Sequence, residues 1–325
     1  MTEAGDFDPG VWKGYDFDSA RKAYDVHVGR SYEDALSSGK CRDDLVPSSI
    51  RTESESPLVI ACDVTGSMGD WPATIFSKLP YLELEGQEYL GEGMEISFAA
   101  IGDCYTDDYP LQVRPFTSGK NLEKELKELV IEGNGGGQMH ESYDLGALYY
   151  SRNVEIPNAI SPVFIFIGDE MPYDFVDKGA AKDWAGSSLQ ERVSTGDVIE
   201  GLKQKFSTYL IRKPYDFNSR DSMSDEDQEI NRSWSQYIDQ EHTAILPNAN
   251  IVVDVIFGLL AKETSRINYF EDELKGRQRP DQVSEVLKSL HSVHYLKNKS
   301  VPKLGSGKSI MKRNDGGGKA SKSLI

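Results

Sequence analysis

The chain has 325 residues, of which 38% are hydrophobic and 27% charged. That is enough apolar material for one large domain or two modest ones without disulfide or metal staples. The formal net charge of −17 argues against nucleic-acid or anionic-membrane binding by the whole chain, and suits a site that gathers a cation or a basic partner.

The three cysteines, Cys41, Cys62 and Cys104, show no pairing motif and read as free thiols of a reducing compartment. The opening MTEAGDFDPG lacks an apolar signal region. No apolar run reaches the roughly 18 residues of a membrane span. A cytoplasmic protein is expected.

In chain order, Asp18 can cap a helix over about 19–37, where Ala20, Tyr24, Val28 and Tyr32 recur at four-residue steps. Residues 1–56 read as an N-terminal helical extension. PLVIACD (57–63) is a continuous apolar run, as in a strand buried on both faces. A helix over 74–86 should break at Pro80. MEISFAAIGD (94–103) is a second strand. PLQVRPF (110–116) alternates, and its two prolines place it at an edge. NLEKELKELVIEG (121–133) is an amphipathic helix with Gly133 as its stop. A helix over 141–153, the strand SPVFIFIGD (161–169), a helix over 188–206 and the strand STYLIRKPY (207–215) follow. Residues 216–232 are polar and acidic and read as a surface excursion. SWSQYIDQEH (233–242) has a helical pattern, TAIL (243–246) a short strand, and 250–263 a strong amphipathic helix. A C-terminal helical extension over 266–295 includes one more helix at 281–292. The last thirty residues, 296–325, hold eight basic residues and one acid, so they carry +7 and leave −24 on the rest. They read as a disordered basic tail.

Alternation of buried strands with helices implies an α/β fold. The expected architecture is a doubly wound, mostly parallel six-stranded sheet with one antiparallel edge strand and helices on both faces. Ligands of such sheets bind beyond the carboxyl ends of the strands, at the switch point. Asp63 and Asp169 each stand at such an end. Two nearby carboxylates repel unless a positive charge lies between them. A hard cation such as Mg²⁺ takes oxygen ligands and keeps several waters. The run DVTGSM offers three oxygens from one turn: Asp63, Thr65 and Ser67.

These residues resemble the metal-ion-dependent adhesion site of von Willebrand factor A (VWA) domains, whose pattern is Asp-x-Ser/Thr-x-Ser. The resemblance covers roughly residues 57–265. The family has a further loop ligand, usually a threonine, before a helix with an Ala-Leu pair. Here GGGQMHESYDLGAL (135–148) stands in that place. It offers Ser142 or, as in a branch of the family, Glu141; the sequence leaves the two open. Asp169 in FIFIGDEMP matches the fourth element. The resemblance implies that Mg²⁺, or Mn²⁺ or Ca²⁺, is held by these groups and accepts an Asp or Glu of a protein partner. It also implies an adaptor role, with a MoxR-type AAA+ ATPase as the kind of partner such intracellular proteins serve.

Enzyme readings lack parts. A haloacid-dehalogenase phosphatase needs an aspartate where Thr65 stands, so the first loop has no general acid. LGSGKS (304–309) resembles the end of a phosphate-binding loop, yet Pro302 replaces the required glycine and no strand precedes it. A non-enzymatic interaction module is therefore expected. A metal-dependent phosphate-ester hydrolase, or a structural component with a purely stabilising metal, are the alternatives. The loop Asp103, Asp107 and Asp108 reads as a solvated turn or as a rim selecting a basic partner.

Overall fold

The run PLVIACD forms strand β1 (Pro57–Asp63), and all seven residues are buried. Its side chains alternate between two cores. Leu58, Ile60 and Cys62 enter one, and Val59 and Ala61 the other. A strand covered on both faces needs no polar alternation, so its sequence is apolar throughout. The computed structural model describes residues 42–69, 71–132, 139–215 and 223–293. The expected helix at 19–37, the glycine loop 133–137 and the basic tail lie outside them.

The other strands of the main sheet are β2 (Glu95–Ile101), β3 (Leu111–Val113), β4 (Val163–Gly168), β5 (Ser207–Arg212) and β6 (Thr243–Ile245). Their order is β6-β5-β4-β1-β2-β3. Every neighbouring pair is parallel except β2 with β3. The sheet is thus mostly parallel with one antiparallel edge pair, as the sequence predicts. The chain leaves β1 toward β2 and later returns to lay β4 on β1's other side, so the switch point lies between β1 and β4.

Besides one helical turn at Arg42–Leu45, the described residues form ten longer helices: α1 (Trp71–Lys78), α2 (Leu82–Leu90), α3 (Asn121–Lys127), α4 (Tyr143–Arg152), α5 (Lys178–Asp183), α6 (Thr195–Lys203), α7 (Asp225–Trp234), α8 (Val252–Glu263), α9 (Ile267–Arg277) and α10 (Pro280–Ser289). Pro80 sits in the 3₁₀ turn that separates α1 from α2. Ile75, Phe76, Leu126, Val255, Leu259, Phe270 and Val286 build the first core. Leu145, Leu148, Ile199, Leu202, Ile230 and Trp234 build the second. Each fully buried aliphatic or aromatic side chain contributes about 1.5–3 kcal/mol relative to exposure, so the sheet is clamped from both sides.

Several elements depart from the sequence reading. Helix α3 ends at Lys127, not at Gly133. The buried Gln112 of β3 donates to Val130 O and accepts from Val130 N, both at 2.8 Å, which holds that backbone out of a helix. The helix expected at 188–206 starts only at Thr195, where Ser194 caps it by accepting from Asp197 N. Pattern reading also missed α5, and it gave α9 only as an undivided part of the helical extension over 266–295. The SWSQYIDQEH segment is helical only at its two ends.

The acidic stretch before residue 232 is not a mere excursion. Its part from Asp225 onward is α7, capped by Ser224, and it buries Asp227, Ile230 and Trp234. Asp227 meets Arg212 at 2.5 Å, with side chains only 3% and 2% exposed, and also accepts from Tyr215 N at 2.9 Å. A buried carboxylate carries a helix whose exposed positions are acidic, so hydropathy alone reads the segment as surface. Removing one partner of a buried pair leaves the other charge uncompensated. Asp227→Ala should lower unfolding stability by about 3–5 kcal/mol, measured by urea denaturation. Asp225→Ala, in the exposed first turn of the same helix, should cost about 1 kcal/mol or less.

Candidate metal centre

Strand register places the charged groups. Cys62 pairs with Ile167, and Gly168 pairs with Arg212. The next residues, Asp63, Asp169 and Lys213, therefore leave the carboxyl ends of three adjacent parallel strands. Lys213 N donates to Gly168 O at 2.9 Å, which extends that register by one residue. Asp63 and Asp169 are fully buried and Lys213 nearly so.

The turn after β1 folds around Asp63. Its Oδ1 accepts from Thr65 N at 2.9 Å and Thr65 Oγ1 at 2.6 Å. Thr65 Oγ1 lies 3.3 Å from Ser67 Oγ, and Ser67 Oγ donates to Asp169 Oδ1 at 2.9 Å. A 3₁₀ turn over Gly66–Met68 brings Ser67 back over the strand end. Gly69 closes it at φ 58°, a left-handed conformation that glycine adopts without steric cost. The four predicted groups Asp63, Thr65, Ser67 and Asp169 thus form one hydrogen-bonded chain.

Glu141 arrives from the side. The segment His140–Glu141 pairs in parallel with Met171–Pro172, which sets it beside the Asp169–Glu170 corner. Glu141 is 3% exposed, and its Oε2 has no hydrogen-bond partner among the described residues. Glu170 Oε2 is in the same condition. Ser142 is also buried, but its Oγ accepts from Cys104 N at 2.9 Å, on the loop after β2.

Three side chains outside the expected set complete the surroundings. Tyr143 OH donates to Asp63 Oδ2 at 2.5 Å. Lys213 Nζ donates to Asp169 Oδ2 at 2.6 Å and to Ser67 O at 2.8 Å. Glu170 follows Asp169 directly. Among these, only Lys213 had a sequence signal, as a charge at the end of an apolar strand. The loop Asp103–Asp108 is held by its own carboxylates: Asp103 accepts from Tyr105 N, Tyr173 OH and Thr106 Oγ1, and Asp107 accepts from Asp103 N. These are Asx-turn contacts that shape a loop.

The electrostatics show a deficit of positive charge. Burial, then the charge of Asp169, pushes the Asp63 carboxyl up to about 7, although hydrogen bonds from Thr65 and Tyr143 oppose the shift. Burial, then Asp169 and Asp63, pushes Glu170 up to about 8. Burial, then Asp63 and Glu170, drives Glu141 far above the usual carboxylate range. Among the described residues, no group of three or more His, Cys, Asp and Glu side chains is drawn together as a metal cage. The converging oxygens are two aspartates joined by two hydroxyls, with orphaned glutamate oxygens beside them. Hard oxygen donors of this kind suit Mg²⁺ or Ca²⁺ better than softer metals, and the orphaned Glu141 Oε2 fits a cation that would satisfy it.

No protein-family model matches the sequence, and no curated protein matches it. Solved structures do. The pilus adhesin SpaC from Lactobacillus rhamnosus GG, in its open conformation, aligns with TM-score 0.46 and 10% identity over 68% of this chain and 31% of the adhesin. Proximal thread matrix protein 1 from the mussel byssus aligns with TM-score 0.41 and 9% identity, over 67% of this chain and 48% of that one. An aerotolerance-related membrane protein from Bacteroides fragilis NCTC 9343 aligns with TM-score 0.37 and 14% identity, over 64% of this chain and 99% of that one. The chain therefore spans about a third of the adhesin's length. Among the described residues, no helix is long and apolar enough to cross a membrane.

Two consequences of the geometry can be measured. A Cβ on Gly168 would lie 1.9 Å from the Tyr143 hydroxyl, and the Tyr143 ring is wedged against Phe166 and Trp234. Gly168→Ala should cost about 1–3 kcal/mol in chemical denaturation through this overpacking. The pH dependence follows from carboxyls whose folded values lie above their unfolded ones, near 4. Such groups contribute stability that is complete below about pH 4 and is lost as pH rises through the folded values. For Asp63 and Glu170 those values are about 7 and about 8. Glu132, raised to about 7 by burial, acts in the same sense. In chelator, the melting temperature should be higher near pH 5.5 than near pH 8.5; a flat or opposite trend would contradict the assignment.

Proposed function

We propose that this chain is a non-enzymatic protein-interaction module of the VWA kind, whose partner contact runs through a divalent cation. The observation that carries the reading is the hydrogen-bonded chain Asp63–Thr65–Ser67–Asp169 at the switch point of the sheet, with a buried Glu141 beside it whose Oε2 has no hydrogen-bond partner among the described residues. Asp63, Thr65, Ser67, Glu141 and Asp169 would hold Mg²⁺, or Mn²⁺ or Ca²⁺ in its place. Ser142 serves the neighbouring loop and is the weaker candidate of the pair. When bound, the cation supplies an electrophilic position for an Asp or Glu of the partner.

The protein's own side chains prepare that position. Thr65 fixes the rotamer of Asp63 through a bond to one carboxylate oxygen, and Tyr143 holds the other. Ser67 holds one oxygen of Asp169 and Lys213 the second. The groups are thus oriented before any ligand arrives, which limits the entropy lost on binding. On the loop after β2 Tyr105 is 61% exposed, and Tyr215, two residues beyond Lys213, is 38% exposed. Aromatic side chains of this kind are enriched at protein interfaces. The interaction role is preferred over the hydrolase alternative because Thr65 stands where a haloacid-dehalogenase phosphatase needs its general-acid aspartate. By resemblance, the partner class is a MoxR-type AAA+ ATPase, with this chain as its adaptor.

Isothermal titration tests the reading. Mg²⁺ or Mn²⁺ should bind the wild type, raise its melting temperature by linkage, and fail to bind Asp63→Ala. A screen with generic phosphate esters should show no Mg²⁺-dependent turnover. Absence of cation binding, or binding unchanged in Asp63→Ala, would contradict the metal assignment, and turnover would contradict the non-enzymatic one.

A further inference from the structure

Lys213 stands in an unusual position for a lysine. Its side chain is 9% exposed, beside a carboxylate that is fully buried. Its ammonium reaches Asp169 Oδ2 at 2.6 Å and Ser67 O at 2.8 Å, and lies 5.6 Å from the centre of the Trp71 ring. Both oxygen-bearing partners belong to residues that would hold the cation. The contact is not incidental to a flexible side chain, because the Gly168–Arg212 register fixes the lysine's backbone directly beside Asp169.

We infer that Lys213 is a resident counter-cation that competes electrostatically with the divalent ion and sets the affinity of the site for it. The inference rests on the metal reading above and names how that site is regulated. Without a bound ion, the ammonium neutralises Asp169 and keeps the strand ends together. With an ion present, two positive groups share one buried carboxylate, and their repulsion in a poorly screened environment weakens ion binding. The result is a site that follows the free Mg²⁺ concentration instead of holding the ion permanently. The lysine also keeps positive charge at the mouth, where an incoming acidic side chain benefits from it.

This arrangement has a signature of opposite signs. A neutral residue at 213 leaves Asp169 without its counter-ion, so the protein in chelator loses stability. The same change removes the competing charge, so Mg²⁺ binds more tightly. A like charge within about 4–6 Å shifts such equilibria by a decade or more, so the expected gain is about tenfold or greater.

The experiment is calorimetric titration of Mg²⁺ alone into wild type, Lys213→Met and Lys213→Arg, with melting curves in chelator. The expected result for Lys213→Met is a lower melting temperature in chelator together with at least about tenfold tighter Mg²⁺ binding. Lys213→Arg, which keeps the charge, should stay close to wild type in both. Should the Met variant not fold, Lys213→Gln retains a donor for Ser67 O and Asp169 and carries the same test. Mg²⁺ binding to the wild type that is unchanged or weakened in the neutral variant overturns this inference and leaves the metal site standing. Failure of both wild type and neutral variant to bind Mg²⁺ overturns the metal site and this inference with it.

Discussion

The structure turns on two carboxylates that cannot avoid each other. Asp63 and Asp169 end adjacent parallel strands, Asp169 one residue beyond the level of Asp63, and both are fully buried. Placing two such groups in a low-dielectric interior is costly unless hydrogen bonds and positive charge compensate. Much of the neighbourhood supplies that compensation. Thr65, Ser67 and Tyr143 donate to the carboxylate oxygens, and Lys213 provides one full positive charge. The donors do not suffice, because Glu141 and Glu170 add further buried carboxyls, each with an oxygen that has no partner among the described residues. A fold that concentrates acids in this way has room, electrostatically, for a cation.

The rest of the molecule keeps those groups in place. β1 is buried along its whole length and held by β2 on one side and β4 on the other. Its register cannot slip by one residue without exchanging the contents of two apolar cores. The glycine at 168 leaves the gap through which Tyr143 reaches Asp63. On the far side of the sheet, buried Asp254 of α8 accepts from Arg277 at 2.7 Å and Gln278 at 2.9 Å. Those bonds fasten α9 to the core, so the helices beyond residue 265 share the packing that supports β1.

Sequence reading succeeded where a contact is local or a strand is buried on both faces. Two-sided burial leaves an apolar run, which made the central strands legible, while alternation with Pro110 and Pro115 marked the edge strand. Asp63, Thr65 and Ser67 lie within five residues, so their spacing alone suggested a common focus. It failed where meaning depends on a distant partner. Lys213 and Asp169 are 44 positions apart, and Tyr143 and Asp63 are 80 apart; only the sheet register joins them. Gln112 shortened a helix that propensity would have continued, and Asp227 buried itself in a stretch that composition marked as surface. Glu141 and Ser142 could not be told apart by spacing, because they are consecutive. The parallel pairing of residues 140–141 with 171–172 sets Glu141 beside the acids, while the next residue caps toward Cys104.

A cation between the strand ends makes sense of the charge imbalance, the preorganised hydroxyls and the orphaned glutamate oxygen together. The most direct test is anomalous diffraction from crystals grown with Mn²⁺. The account expects a single strong anomalous peak within coordination distance of Asp63, Ser67 and Asp169, with Lys213 still on Asp169. Strand ends without a peak at millimolar Mn²⁺, or a peak only elsewhere on the surface, would contradict it.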